Sequence, residues 1–129
     1  MKRTVIMPEH AGIFECEQHG ETMIICPNRD LTEVVCQKLR ASDSDIVGSY
    51  KDSQAKHVIV DFHKTTAFGS TALELFVRLW KSIRARGGRL AFCNLSEQQR
   101  EILQLTRLDQ LWDIFNSRHE ANLAVGNPG

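Results

Sequence analysis

The sequence predicts an α/β domain, a mixed β-sheet flanked by helices in the order ββαβαβαβα, and three observations carry that prediction. The run His57-Val58-Ile59-Val60-Asp61-Phe62 is continuous and β-branched rather than alternating, as expected of a central strand covered on both faces. Two short apolar runs precede it on either side of Gln18-His19-Gly20-Glu21 and read as a hairpin. After it, strand-like segments alternate with helical periodicity, which requires crossover connections and sets the later strands parallel. These observations leave the sheet order open.

Taken in order, Ile13–Glu17 and Thr22–Cys26 are the hairpin strands, and Pro27 ends the second. Asp30-x-x-Glu33 has the form of a capping box and should start the first helix, with Leu31, Val34, Val35 and Leu39 on one face and an end near Ala41. The polar residues 42–56 read as a connection leading into the central strand. A second helix runs from about Thr71 to Arg86 on the stripe Ala72, Phe76, Leu79, Trp80 and Ile83, and Gly87-Gly88 supplies its left-handed stop. Arg89–Cys93 is the next strand. Ser96-x-x-Gln99 caps a third helix that carries Ile102 and Leu103 inward, and Leu111–Phe115 follows as a short strand. Ser117-x-x-Glu120 opens a terminal helix through Ala121, Leu123 and Val125. Residues 1–11 then form an N-terminal extension, 12–125 the domain and 126–129 a loose tail.

The chain has 129 residues, with 16 basic and 16 acidic side chains, which fits one ordinary domain able to bury roughly two-thirds of its unfolded surface. Zero formal charge removes the electrostatic footprint of a nucleic-acid binder and points to protein or small-molecule partners. No apolar stretch approaches the ~20 residues that span a bilayer, and Met1-Lys2-Arg3-Thr4 opens no signal peptide, so a cytoplasmic protein is expected. Cys16, Cys26, Cys36 and Cys93 form no Cys-x-x-Cys pair and read as reduced thiols. His10, His19, His57, His63 and His119 share no metal-ligand spacing, and neither a metal nor a cofactor is implied. His63, just past the central strand, stands where α/β sheets often bind ligands, although a solvated loop histidine is its ordinary reading. The basic residues Arg78, Lys81, Arg84, Arg86 and Arg89 read as a solvated helix end. No phosphate-binding glycine loop is present, and Gly69-Ser70-Thr71-Ala72 lacks the Gly-x-Ser-x-Gly pattern of a hydrolase nucleophile elbow.

The most informative segment runs from Asp61 to Leu73. A buried strand leads through a polar turn to adjacent hydroxyls, Ser70 and Thr71, at a helix N-terminus, where unpaired N–H groups and the positive helix end can stabilise an attached phosphate. Such a charge would alter any partner docked there. Equally, Thr71-x-x-Glu74 is itself a capping box, and Thr71 could do no more than start the helix.

Here the sequence resembles the STAS family, the domain shared by bacterial anti-sigma factor antagonists and the cytoplasmic parts of sulfate transporters. The resemblance runs from about Phe14 to Val125 and is sharpest at Val58–Phe62, Gly69–Leu73, Arg86–Leu90 and Ile102–Leu111. It implies a mixed sheet flanked by helices and a protein switch with no catalytic residue. In the antagonist branch an Asp-Ser-Ser/Thr-Gly-like turn is phosphorylated by a serine/threonine kinase that doubles as an anti-sigma factor. Carried over, the usual phosphoacceptor falls on Thr71 and its preceding hydroxyl on Ser70, with Gly69, Ser70, Thr71, Ala72 and Glu74 as partner-binding positions. Gly69 stands where the family has its acidic residue and Ala72 where it has glycine, and Glu74 would repel a phosphate on Thr71. Arg107 replaces the glycine that often ends the third helix. A non-phosphorylated scaffold is the alternative, and an enzyme or small-ligand domain using His63 and Ser70 is a third reading.

Overall fold

Strand order across the sheet repeats strand order along the chain. The computed structural model describes residues 2–5, 13–41 and 46–125. Among them six strands lie edge to edge as β1 (Lys2–Val5), β2 (Phe14–His19), β3 (Thr22–Pro27), β4 (His57–Asp61), β5 (Leu90–Cys93) and β6 (Asp113–Phe115). β1, β2 and β3 pair antiparallel, whereas β3 to β6 are parallel, so the sheet is mixed as expected. The helices are α1 (Glu33–Ala41), α2 (Ile46–Asp52), α3 (Ser70–Ala85), α4 (Glu97–Leu105) and α5 (Arg118–Ala124).

Right-handed crossovers that advance in one direction put their helices on a single face. The main core lies there, where Phe14, Ile25, Val60 and Phe92 of the sheet meet Ile46, Tyr50, Phe76, Ile83 and Leu103. Phe62, Phe68, Phe76 and Phe92 pack edge-to-face at its centre, with ring centroids 5.1 to 6.1 Å apart, and Trp112 joins Phe76 and Phe92. The opposite face is covered by α5, whose Ala121 and the following Val125 meet Ile24, Ile59, Ala91 and Cys93.

Several elements depart from the sequence expectations. Lys2–Val5, inside the segment read as an extension, pairs with Cys16–His19. The stretch read as a connection contains α2, whose Ile46, Val47 and Tyr50 are buried; the Tyr50 hydroxyl donates to Lys56 O at 2.8 Å. Residues 1 and 6–11 of the extension, residue 12, residues 42–45 of the connection and the tail 126–129 lie outside the described residues.

The first helix begins later than the capping box predicted. Thr32, not Asp30, accepts from the N–H of Val35 at 3.3 Å, because Leu31 is drawn into a parallel bridge with Phe68. That start turns Cys36 inward and leaves Val34 62% exposed. Leu123 likewise points outward from α5. By contrast Ser96 and Gln99 form the reciprocal cap as expected.

At the end of α3, Gly87 takes φ of +74°, and a Cβ on Gly88 would lie 1.9 Å from Lys56 O, so one glycine serves the turn and the other a close approach. Arg107 holds the left-handed position itself, at φ 61°. The basic stretch is exposed, as expected of a solvated helix end, and two of its residues also tie elements together: Arg86 donates to the carbonyls of Tyr50, Lys51, Ser53 and Ala55 and lies over the Tyr50 ring, and Arg89 pairs with Asp113.

Candidate functional site

The carboxyl ends of the parallel strands carry two polar clusters. The first is the turn from Phe62 to Ser70, which leaves β4 and enters α3. Thr65 folds it back, its N–H and hydroxyl both donating to Phe62 O at 2.9 and 3.0 Å. Gln99, fully buried, donates from Nε2 to Thr65 Oγ1 at 2.8 Å, and Ser96 Oγ donates to Thr66 O at 2.6 Å. From the other side the Asp30 carboxylate accepts from the N–H groups of Thr66 and Ala67 and from the Thr66 hydroxyl, at 2.8, 3.3 and 3.1 Å. Burial opposes that charge, yet these hydrogen bonds hold the Asp30 pKa below its ordinary value. The Gly69 N–H donates to Leu31 O at 3.1 Å. The turn is thus clamped between the start of α1 and the start of α4.

Gly69 is the N-cap of α3, in an extended conformation, and as a glycine it supplies no side-chain cap. Thr71 therefore does not serve as the cap its spacing suggested. It sits inside the first turn, 9% exposed, and its hydroxyl donates to Glu33 Oε2 at 2.9 Å. Ser70 is exposed, Gly69 is half-buried, Ala72 is fully buried among core residues and Glu74 is exposed. Of the five positions that the resemblance implies for partner binding, Gly69, Ser70 and Glu74 reach the surface, while Thr71 and Ala72 are buried.

Asp30 and Glu33, which the spacing presented as one capping box, both reach across to this turn instead. Nothing in their spacing distinguishes the two uses, because a carboxylate placed to cap its own helix can equally accept from a neighbouring segment. The signal for them lies only in the Leu31–Phe68 pairing.

The second cluster surrounds Asp61, 2% exposed at the end of β4. Its Oδ1 accepts from the His63 N–H and from Asn94 Nδ2, both at 3.0 Å, and its Oδ2 accepts from Arg118 Nε at 2.9 Å. Arg118 also lies 3.4 Å from Glu17, which holds His19 at 3.1 Å. Burial works against the Asp61 charge, but hydrogen bonds from Asn94, His63 and Arg118 keep its pKa below the usual value. His63 Nδ1 is 3.0 Å from Asp61 and 3.7 Å from Cys26 Sγ. This arrangement ties α5 to the sheet. Burial, aided by neighbouring Cys26 and Asp61 respectively, pushes the Cys16 and Cys93 thiols up to about 12, which leaves them inert as nucleophiles. All four cysteines are free and buried. Among the described residues no three His, Cys, Asp or Glu side chains gather as a metal site, and no helix is long and apolar enough to cross a membrane.

Comparison with known proteins follows the same outline. A family model described as the STAS domain matches residues 14–121. A solved STAS domain protein from Planctomyces limnophilus, described as an anti-sigma-factor antagonist, is 25% identical with a TM-score of 0.75, covering 87% of this chain and 97% of its own. An anti-sigma factor antagonist from Mycobacterium paratuberculosis shares 16% identity with a TM-score of 0.74, over 94% of this chain and 98% of its own. The Bacillus cell fate determinant SpoIIAA in its phosphorylated form has the same fold, at 20% identity and a TM-score of 0.61, over 86% and 96% of the two chains. No curated protein sequence matches the chain.

Proposed function

From the premise that the chain belongs to the STAS domain family, we propose that it is a regulatory protein of the anti-sigma factor antagonist type, which docks an anti-sigma factor with serine/threonine kinase activity through the Gly69–Glu74 turn. On this reading it is a cytoplasmic switch rather than an enzyme, its domain spans residues 12–125, and phosphorylation of the turn releases the partner. The observation that carries the proposal is the exposed Ser70 hydroxyl at the first position of α3, beside an N-cap, Gly69, that offers the helix N–H groups no side chain. Those donors and the positive helix end favour a phosphate at that point. Ser70 is accordingly the acceptor we propose, in place of Thr71, whose hydroxyl is buried and engaged. The names of the structural neighbours, one of them solved in phosphorylated form, agree with this use of the fold.

Intact mass spectrometry after incubation with cell extract and ATP, with and without phosphatase, tests the proposal. A phosphatase-sensitive phosphate mapped to Ser70 is expected. No phosphate on the turn, in an extract that modifies a control STAS protein, would overturn the switch. The second reading is then a constitutive, non-phosphorylated scaffold, favoured by the carboxylates of Glu33 and Glu74 at the α3 start and by Gly69 and Ala72, which replace the family's acidic residue and glycine.

A further inference from the structure

We propose that Glu33 is the specificity-determining residue of the turn: by setting a carboxylate charge against the Thr71 hydroxyl, it confines phosphorylation to Ser70. This inference rests on the switch reading above. Two hydroxyls of similar chemistry stand side by side at the start of α3, and what separates them is their surroundings. Ser70 faces solvent, whereas Thr71 donates to Glu33 Oε2 at 2.9 Å from beneath the edge of α1. The carboxylate is well placed to stay there. Glu33 opens α1, where the helix end favours negative charge, and the Thr32 cap fixes that start.

Phosphoryl transfer forms a bond between a hydroxyl oxygen and the γ-phosphorus of ATP, and it breaks the bond from that phosphorus to the bridging oxygen. ADP leaves, and the hydroxyl proton passes to the base of the kinase. At Thr71 that proton is already directed at Glu33, which occupies the place of the kinase base. The incoming γ-phosphoryl group and the phosphate product would also stand against a carboxylate in a partly buried site, where like charges repel most strongly. At Ser70 the hydroxyl is in water, and its product phosphate meets a helix N-terminus whose N-cap, Gly69, has no side chain. The neighbouring Glu74 is exposed there, so its repulsion is screened by solvent.

The test uses the full chain with Mg-ATP and cell extract, and it maps phosphate to each hydroxyl in wild type, Ser70→Ala, Glu33→Gln and the double variant Ser70→Ala/Glu33→Gln. Glutamine keeps the size and can still accept the Thr71 hydrogen bond, so the change removes charge more than shape. Expected are phosphate on Ser70 in wild type, none in Ser70→Ala, and a gain at Thr71 of about tenfold or more in both proteins that carry Glu33→Gln. Phosphate on Thr71 in Ser70→Ala with Glu33 intact would overturn the inference. So would an unmodified double variant when wild type is phosphorylated on Ser70. A wild type that takes no phosphate, in an extract that modifies a control STAS protein, defeats the switch reading itself and is thereby told apart from a failure of Glu33. Site distribution is a readout that loss of stability alone would not redirect from one hydroxyl to its neighbour.

Discussion

Gly69 shows how one missing side chain shapes the site. Its extended backbone suits any residue, and a Cβ there would meet nothing within 4 Å. Gly69→Asp would supply the absent cap to the N–H groups of α3, and it is expected to raise stability by roughly 0.3–1 kcal/mol, read as a higher urea midpoint. An unchanged or lower midpoint would count against an uncapped α3. Asp61 is the opposite case, a buried charge fully engaged by Asn94, His63 and Arg118. Asp61→Ala should destabilise the protein by about 2–4 kcal/mol, because Arg118 and the polar groups around it lose their partner. A loss within about 0.5 kcal/mol would show the cluster to be incidental. At this scale the sequence identified Ser70, Thr71 and the strand-end position of His63. It could not show that Thr71 is held by a carboxylate 38 positions upstream, since that bond depends on how α1 meets α3.

Local pattern served some elements well and misdirected others. The cap Ser96-x-x-Gln99 was legible because both partners belong to one helix start, and Ser96→Ala is expected to destabilise by about 1–2 kcal/mol in urea titration, with faster hydrogen exchange in residues 64–68. Loss of stability without faster exchange there would mean that the cap does not steady the turn between β4 and α3. Asp30-x-x-Glu33 has the same spacing, yet tertiary contacts claim both carboxylates. The shift in α1 that follows decides which apolar residue faces the core: Val34→Ala should change stability by no more than about 0.5 kcal/mol, despite its place on the periodic stripe. Helix α2 was missed because only three of its seven residues are buried, too few for periodicity to register. Strand β1 was missed for a related reason, in that an edge strand of four residues has no run long enough to announce itself.

Over the whole molecule, the sheet order could not be read from the sequence, because crossover lengths do not say on which side of a strand the next one lies. Crossovers of the usual right hand then account for the one-sided main core, and among the described residues α5 is the helix that covers the reverse face. Two carboxylates secure the ends of this sheet, and both ionise more readily in the folded state than usual, with burial outweighed by hydrogen bonds. Their contribution to stability is therefore present above the ordinary carboxylate pKa of about 3.9 and is lost as the pH falls through the lower folded values. Urea midpoints should accordingly drop below about pH 4, and by less in Asp61→Asn, where one of the two groups no longer titrates. An equal drop in that variant would exclude Asp61 as a source of the acid response. Docking of a kinase-type anti-sigma factor on the Gly69–Glu74 turn is the proposed function of this surface. It is tested most directly by a photo-crosslinking amino acid placed in living cells at Glu74, beside Ser70, and in a control at Leu123, which is exposed on the helix covering the opposite face of the sheet. A crosslink from position 74 to an ATP-binding anti-sigma factor, lost when Ser70→Glu is added and absent from position 123, is the predicted result; a partner captured from position 123 and not from position 74 would contradict it.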